Sequence, residues 1–178
     1  MSGDNLRATR VFLASFLVLF LEIALIRWMP AYIRLLSYFS NFILLASFLG
    51  IGLGCLLAPA RVRLFVWFPL LQIAMILAVN LLRLEVALPS TSTIYFSSGT
   101  AESVVPVEST LLLPLLFMAV ACLFAAVAQR MGREFAAVQP PLRAYVVNLL
   151  GSLAGVAVFA LVSWLQAPAA VWFGIAFA

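Results

Sequence analysis

The stretch from Val11 to Met29 is the feature that most constrains the fold of this chain. Its sequence, VFLASFLVLFLEIALIRWM, is apolar almost throughout and contains one acid, Glu22, and one base, Arg27. Such a run is long enough to cross a hydrocarbon core of about 30 Å. An ionisable side chain at that depth normally faces a protein interior or a cavity. The stretch therefore predicts a membrane-spanning helix with other helices packed around it.

The composition excludes an ordinary soluble domain. The 178 residues are 66% hydrophobic and only 9% charged, whereas soluble domains are about 25% charged. The arginines lie singly or in pairs between apolar runs, which favours a role in membrane topology over nucleic-acid binding. The chain has no histidine, and Cys55 and Cys122 lack CxxC spacing. We therefore predict no metal, no cofactor and no disulfide, and interpret both cysteines as small core residues.

Apolar runs separated by proline, arginine and polar connectors predict an all-α, polytopic transmembrane bundle. About five full spans and the start of a sixth are expected, at residues 11–29, 41–58, 64–82, 110–128 and 144–165, and from residue 169 onward. Pro30 is expected to stop the first helix. Since roughly ten apolar residues cannot cross a bilayer, the single membrane domain of residues 1–178 is interpreted as a fragment that lacks a C-terminal soluble domain.

Two connectors are predicted between the later spans. Residues 83–109 form the only long polar connector, whose STIYF segment fits either a short strand or a segment on the membrane surface. Residues 129–143 form the second connector, which Pro140 and Pro141 are expected to stiffen.

The placement of arginine predicts the orientation in the membrane. With a cytoplasmic N-terminus, the inner segments would hold Arg7, Arg10, Arg61, Arg63, Arg130, Arg133 and Arg143, and the outer segments Arg27, Arg34 and Arg83. Because positive residues concentrate in cytoplasmic loops, we predict a protein of the inner membrane with its N-terminus in the cytoplasm. The acidic connector at residues 83–109 would then lie outside.

Polar side chains within or beside the predicted spans form a candidate intramembrane cluster. Its members are Glu22, Arg27, Asn41, Gln72, Asn80 and Asn148. They could line a small polar pocket that opens outward, or form interhelical hydrogen bonds that fix the packing. Glu22 is expected to face the bundle interior and to bind Arg27, Asn41, Gln72 or Asn80, or else to be protonated.

Glycines recur in the second and fifth spans. They are Gly50, Gly52, Gly54, Gly151 and Gly155. A nucleotide-binding fingerprint needs a strand before the glycines and a helix after them, whereas the first three lie within one apolar run. Small residues let helix backbones approach closely, so we predict that all five lie at helix–helix contacts. A broken helix that lines a substrate path is the alternative for the first three.

Three stretches carry a family resemblance and together cover about half of the chain. They are LFLEIALIRW, SNFILLASFLGIGLG and PPLRAYVVNLLGSLAGVAVF, the last with Arg143, Tyr145, Asn148, Gly151 and Gly155. They resemble the membrane region of bacterial spermidine-synthase-like (aminopropyltransferase-like) integral membrane proteins. The resemblance implies an N-terminal helical membrane domain followed by a soluble catalytic domain with a Rossmann-like sheet. This sequence lacks that catalytic part, so no catalytic residue is carried over.

Three functions stay open on the sequence. The chain could be the membrane half of a spermidine-synthase-like protein, a small-molecule transporter or membrane subunit, or a membrane anchor and assembly domain. Charged residues in several spans and an internal repeat would favour a transporter, and only Glu22 clearly qualifies. The expected partners are the lipid bilayer and either a soluble aminopropyltransferase-like domain or a second copy, without nucleic acid.

Overall fold

The computed structural model describes residues 2–33, 36, 39, 41–82 and 109–177, and it is all-helical there. The α-helices are α1 (Ser2–Tyr32), α2 (Phe42–Leu56), α3 (Phe68–Leu82), α4 (Ser109–Ala137), α5 (Pro141–Trp164) and α6 (Ala169–Phe177), and a 3₁₀ helix (Leu64–Trp67) precedes α3. The predicted all-α class is confirmed for this part of the chain. The connector at residues 83–108, with its STIYF segment, lies outside the described residues, as do Arg34 and Arg83.

Within the described ranges, three helices are long and apolar enough to cross a membrane. They are α1, α4 and α5, over Gly3–Tyr32, Leu113–Ala137 and Pro141–Trp164. The regions Phe42–Leu56 and Leu64–Asn80 are apolar but shorter. These helices indicate a membrane-associated helical protein. The count of five full spans stays a prediction.

Helix α1 lies at the centre of the bundle, since it contacts each of the other five α-helices. Four of its large side chains, Phe20, Leu21, Leu25 and Met29, are completely buried. Aromatic rings join it to its neighbours. Phe20 packs edge-on against Phe159 of α5, with ring centroids 5.6 Å apart, and Trp28 packs edge-on against Phe173 of α6 at 4.9 Å. The first apolar stretch is thus the helix that the others surround.

The helix pair α2 and α4 meets through a glycine seam formed by Gly50 and Gly54. A Cβ atom added at Gly50 would collide with the backbone carbonyl of Ala121 and lie 2.8 Å from Cβ of Phe124. One added at Gly54 would lie 2.6 Å from the carbonyl oxygen of Ala125. Only a residue without a side chain lets the two backbones approach this closely.

A second glycine seam joins α1 and α5. A Cβ atom at Gly151 would collide with the carbonyl of Phe12, and one at Gly155 would lie 2.5 Å from the carbonyl oxygen of Phe16. The two glycines are four residues apart, so they lie on one face of α5. The first and fifth helices are therefore in direct backbone contact.

Gly52 does not share the contact that Gly50 and Gly54 make. The prediction of a helix–helix contact was therefore wrong for Gly52. A Cβ atom at Gly52 would meet nothing within 4 Å. The reason is the helical repeat of about 3.6 residues per turn, which places a residue two positions away on nearly the opposite face.

Two helices extend beyond their predicted ends. Helix α1 continues past Pro30, and the hydrogen bond from the amide of Ile33 to the carbonyl of Met29, 2.9 Å long, carries the helical pattern over the proline. Helix α4 continues to Ala137 and so includes most of the connector predicted at residues 129–143. Only a short turn remains before α5. Polar side chains of this extension bind other segments, as described below, and those contacts stabilise the added turns.

Both cysteines are free and exposed on the outer surface of the bundle, on α2 and α4 respectively. The interpretation of Cys55 and Cys122 as core residues was therefore wrong. An apolar run does not distinguish a face that packs against protein from a face that meets lipid, because both environments favour the same residues.

The glycine seam predicts a sharp contrast within α2. We expect Gly50→Ala to destabilise the bundle by about 1–3 kcal/mol, because the new methyl group overpacks the contact with Ala121. Gly52→Ala is the matched control and should leave stability nearly unchanged, since its methyl group enters open space. Thermal unfolding in detergent measures both variants. Equal melting temperatures for the two would contradict the seam.

Candidate functional site

A buried polar pair joins α1 to α2. Glu22 is 5% exposed and Ser47 is fully buried. Oγ of Ser47 lies 2.5 Å from Oε1 of Glu22, to which it donates, and 2.9 Å from the carbonyl oxygen of Leu44. A hydroxyl has one hydrogen and serves one acceptor at a time. A protonated Glu22 could instead donate to Oγ of Ser47, which would then donate to Leu44.

The partner of Glu22 differs from the expected ones. Arg27, Asn41, Gln72 and Asn80 were expected to supply the bond, and within the described part of the chain Ser47 supplies it. Consecutive predicted spans run in opposite directions, so residue 29 of the first and residue 41 of the second lie at the same side of the membrane. Equal distances from these two residues could therefore have identified the serine. Glu22 lies about 10 Å from residue 29 along α1 and Ser47 about 9 Å from residue 41 along α2, at 1.5 Å per residue. Serine was overlooked because it also fills space as a small residue.

The other polar side chains of the predicted cluster bind elsewhere. Oγ of Ser15 lies 2.7 Å from Oδ1 of Asn148 at the α1–α5 seam and 2.8 Å from the carbonyl oxygen of Val11 in its own helix, and its one hydrogen serves one of these acceptors at a time. Nδ2 of Asn80 donates to the carbonyl of Ile76 within its own helix, at 2.8 Å. Asn41 is exposed at the position before α2.

Gln72 and Arg27 both contact the last part of the chain. Nε2 of Gln72 donates to the carbonyl of Phe173 at 3.1 Å. Arg27 donates to the hydroxyl of Ser163, and its guanidinium lies 5.6 Å from the ring centroid of Trp172. Within the described residues, Oε1 of Gln72 and Nε1 of Trp172 are buried without a hydrogen-bond partner.

These placements separate the predicted cluster: four of its members bond to other helices, Asn80 bonds within its own helix, and Asn41 lies exposed before α2. Among the residues that the structure describes, no hydrogen bond joins two of the six predicted members. Three of their partners, Ser15, Ser47 and Ser163, are serines that sequence reasoning did not select. The geometry at Asn148, Gln72 and Glu22 is that of interhelical hydrogen bonds, which fix the relative positions of helices.

A second polar region, here called the basic end, lies where α1 and α5 begin and α4 ends. Arg7 donates to the carbonyl of Ala137 at 3.1 Å. Arg10 forms an ion pair with Glu134, with Nη1 and Oε1 3.2 Å apart. Arg143 donates to Oδ1 of Asn5 at 2.7 Å. Contacts between residues far apart in the sequence thus bring these three helix ends together.

The connector between α2 and the 3₁₀ helix joins the same basic end. Nε2 of Gln129 donates to the carbonyls of Leu57 and Val62, at 2.9 Å each, and its Oε1 accepts from the amide of Leu64 at 2.7 Å. Nε of Arg133 donates to the carbonyl of Ala58 at 2.7 Å. Two side chains of α4, one turn apart, therefore bind backbone carbonyls of the connector that follows α2.

Two adjoining clefts open beside the basic end. The first, of about 390 Å³, is lined by residues that include Arg63, Arg130 and Glu134. The second, of about 400 Å³, has mainly apolar walls from α1, α3 and α6. Arg130 also lies over the ring of Phe65, 4.3 Å from its centroid. A third cleft, lined by residues that include Asn5 and Arg143, lies nearby.

The Glu22–Ser47 bond can be tested with a double-mutant cycle. We expect Ser47→Ala to cost about 0.5–2 kcal/mol of stability, because it removes the hydroxyl that binds the buried carboxyl group. In a Glu22→Leu background the same substitution should cost almost nothing, since the bond is already absent. Glu22→Gln keeps an acceptor for the hydroxyl and should fold. Thermal unfolding in detergent gives the four values, and equal costs for Ser47→Ala in both backgrounds would reject the bond.

Comparison with known proteins adds no family to this description. No protein-family model, no curated protein and no solved structure matches the chain. The contacts of the described residues therefore carry the functional argument, together with the resemblance noted in the sequence.

Proposed function

We propose that this chain is a membrane anchor and assembly domain of the inner membrane with a cytoplasmic N-terminus. Following the resemblance, it would be the membrane half of a spermidine-synthase-like protein and would hold an aminopropyltransferase-like domain at the cytoplasmic face. The catalytic chemistry would belong to that domain and not to the chain described here. The single observation that carries the proposal is the pair of glycine seams.

The seams favour a fixed arrangement of helices. Each brings two backbones into contact at two positions one helical turn apart, through Gly50 and Gly54 and through Gly151 and Gly155. Shape-matched contacts of this kind are either formed or lost, because packed interfaces do not deform gradually. A domain that positions a partner needs such a fixed frame.

The surroundings of Glu22 give less support to a transporter. Transporters place substrate sites near the bilayer midplane, beside interrupted helices that line a cavity. Helices α1 and α2 are continuous around the Glu22–Ser47 pair. The three clefts at and near the basic end are lined without Glu22 and Ser47. The pair fits the role of a bond between helices.

The basic end supports the proposed orientation. The seven arginines expected in the cytoplasm lie on four segments, namely the start of α1, the connector after α2, the end of α4 and the start of α5. Those segments contact one another through the bonds of Arg7, Arg10, Arg133 and Arg143. Arginine-rich ends are retained on the cytoplasmic side during insertion.

Flux measurements separate the anchor from a transporter. The purified chain is reconstituted into liposomes, and the uptake of radiolabelled spermidine is followed, because the resemblance points to polyamine chemistry. An anchor should give the same uptake as protein-free liposomes, with or without Glu22→Gln. Saturable uptake that Glu22→Gln abolishes would overturn the anchor in favour of a transporter.

Cysteine labelling tests the orientation. In a Cys55→Ser/Cys122→Ser background, we expect Ser98→Cys to react with a membrane-impermeant maleimide added outside intact spheroplasts. Ala136→Cys, at the exposed end of α4, is the matched control and should react only after the membrane is opened. The reverse pattern would show that the N-terminus is outside.

A further inference from the structure

The hydroxyl group of Ser47 lies between two oxygen acceptors. Its Oγ is 2.5 Å from Oε1 of Glu22 and 2.9 Å from the carbonyl oxygen of Leu44, and both are hydrogen-bonding distances. A hydroxyl group has one hydrogen. If Glu22 were a carboxylate, that hydrogen would serve one contact and leave two oxygen atoms facing each other in the other. A proton on Glu22 supplies the missing hydrogen, since Glu22 then donates to Ser47 and Ser47 donates to Leu44.

Glu22 has no counter-ion among the residues that the structure describes. Its hydrogen bond with Ser47 is its one polar contact there. Arg27, the nearest cation along α1, donates to Ser163 of α5 and lies over the ring of Trp172 of α6. Five positions turn a helical side chain by about 140°, so Glu22 and Arg27 point to different neighbours. An unpaired charge is far more costly to bury than a neutral group with a hydrogen-bond partner.

The described helices around α1 place no charged side chain beside Glu22. Helices α2, α3 and α6 contain no charged residue, and the charged residues of α4 and α5 lie at the basic end. On α1 itself, Arg10 at that end is about 18 Å from Glu22 along the helix, at 1.5 Å per residue. The remaining titratable groups of the described helices are all exposed, namely the thiols of Cys55 and Cys122 and the phenols of Tyr32 and Tyr145.

We propose that Glu22 is a proton-binding site, in which the carboxyl group stays neutral at neutral pH and donates to Oγ of Ser47. The two hydrogens, one from each side chain, then form a continuous chain of hydrogen bonds from Glu22 of α1 through Ser47 to the backbone of α2 at Leu44. Each of the two contacts contains one hydrogen, and no buried charge is left. The proposal goes beyond the anchor function, because it applies equally to a bundle that anchors and to one that transports.

The proton has a direct consequence for the contact between α1 and α2. The two glycine seams join α2 to α4 and α1 to α5, whereas the polar link between α1 and α2 in the described part of the chain is the Glu22–Ser47 pair. Removal of the proton would leave an unpaired charge in the apolar core that holds Leu21 and Ala46. The carboxylate would also compete with Leu44 for the one hydrogen of Ser47. The bound proton is therefore part of the link between the two helices.

Infrared spectroscopy of the chain, purified at neutral pH in a maltoside detergent that contains no carbonyl group, detects the bound proton. A protonated carboxyl group gives a carbonyl stretching band that carboxylates lack. We expect this band in the wild-type chain and its loss in Glu22→Gln. Glu134→Gln is the matched control and should keep the band, because the carboxylate of Glu134 pairs with Arg10. A wild-type chain without the band would overturn the proposal, and so would a band that Glu22→Gln retains.

Serine variants connect the band to the Glu22–Ser47 pair. Ser47→Ala removes the acceptor of the acid, so the band should remain and move to higher frequency. Ser163→Ala removes a serine that Arg27 binds, and as the matched control it should leave the band in place. An unshifted band in Ser47→Ala would place the proton on an acid that does not touch Ser47 and would overturn the proposal. This comparison does not require Glu22→Gln to fold.

Discussion

Close approach of helix backbones is the constraint on which this structure depends. In a lipid environment, burying apolar side chains between helices brings little gain, because the lipid tails are equally apolar. Dispersion contacts and polar bonds must then hold the helices, and dispersion falls off steeply with distance. Glycine at the α2–α4 and α1–α5 contacts removes the side chains that would keep the backbones apart. Central α1 then contacts every other α-helix.

Polar side chains add direction to this packing. Within the described residues, Ser47 binds Glu22 between α1 and α2, and Ser15 binds Asn148 between α1 and α5. Each bond fixes how far one helix can slide along the other, which dispersion contacts alone define poorly. At the basic end, Gln129 and Arg133 of α4 do the same for the connector after α2. A seam and a polar bond thus coincide at the α1–α5 pair, while the Glu22–Ser47 bond joins a different pair, α1 and α2.

The sequence reveals the helical class and the spacing of the seam glycines because both are local patterns. Apolar runs predict helices, and glycines four residues apart lie on one face. What it could not reveal depends on contacts between distant segments. The extension of α4 depends on the partners of Gln129, Arg133 and Glu134, and Ser47 was identified only once α2 lay beside α1. The exposure of Cys55 and Cys122 depends on which apolar face of each helix the other helices leave uncovered.

The α1–α5 seam has a consequence for the order in which the protein is made. Ser15 and Asn148, which bond across this seam, are separated by 133 positions in the chain. Synthesis proceeds from the N-terminus, so α1, which is long and apolar enough to span a membrane, is made long before its glycine-bearing partner exists. In a membrane, Glu22 would need shielding by α2 or by the insertion machinery during that interval, because lipid offers it no hydrogen bond. Early pairing of α1 with α2 through Ser47 would therefore protect the growing chain until α5 arrives.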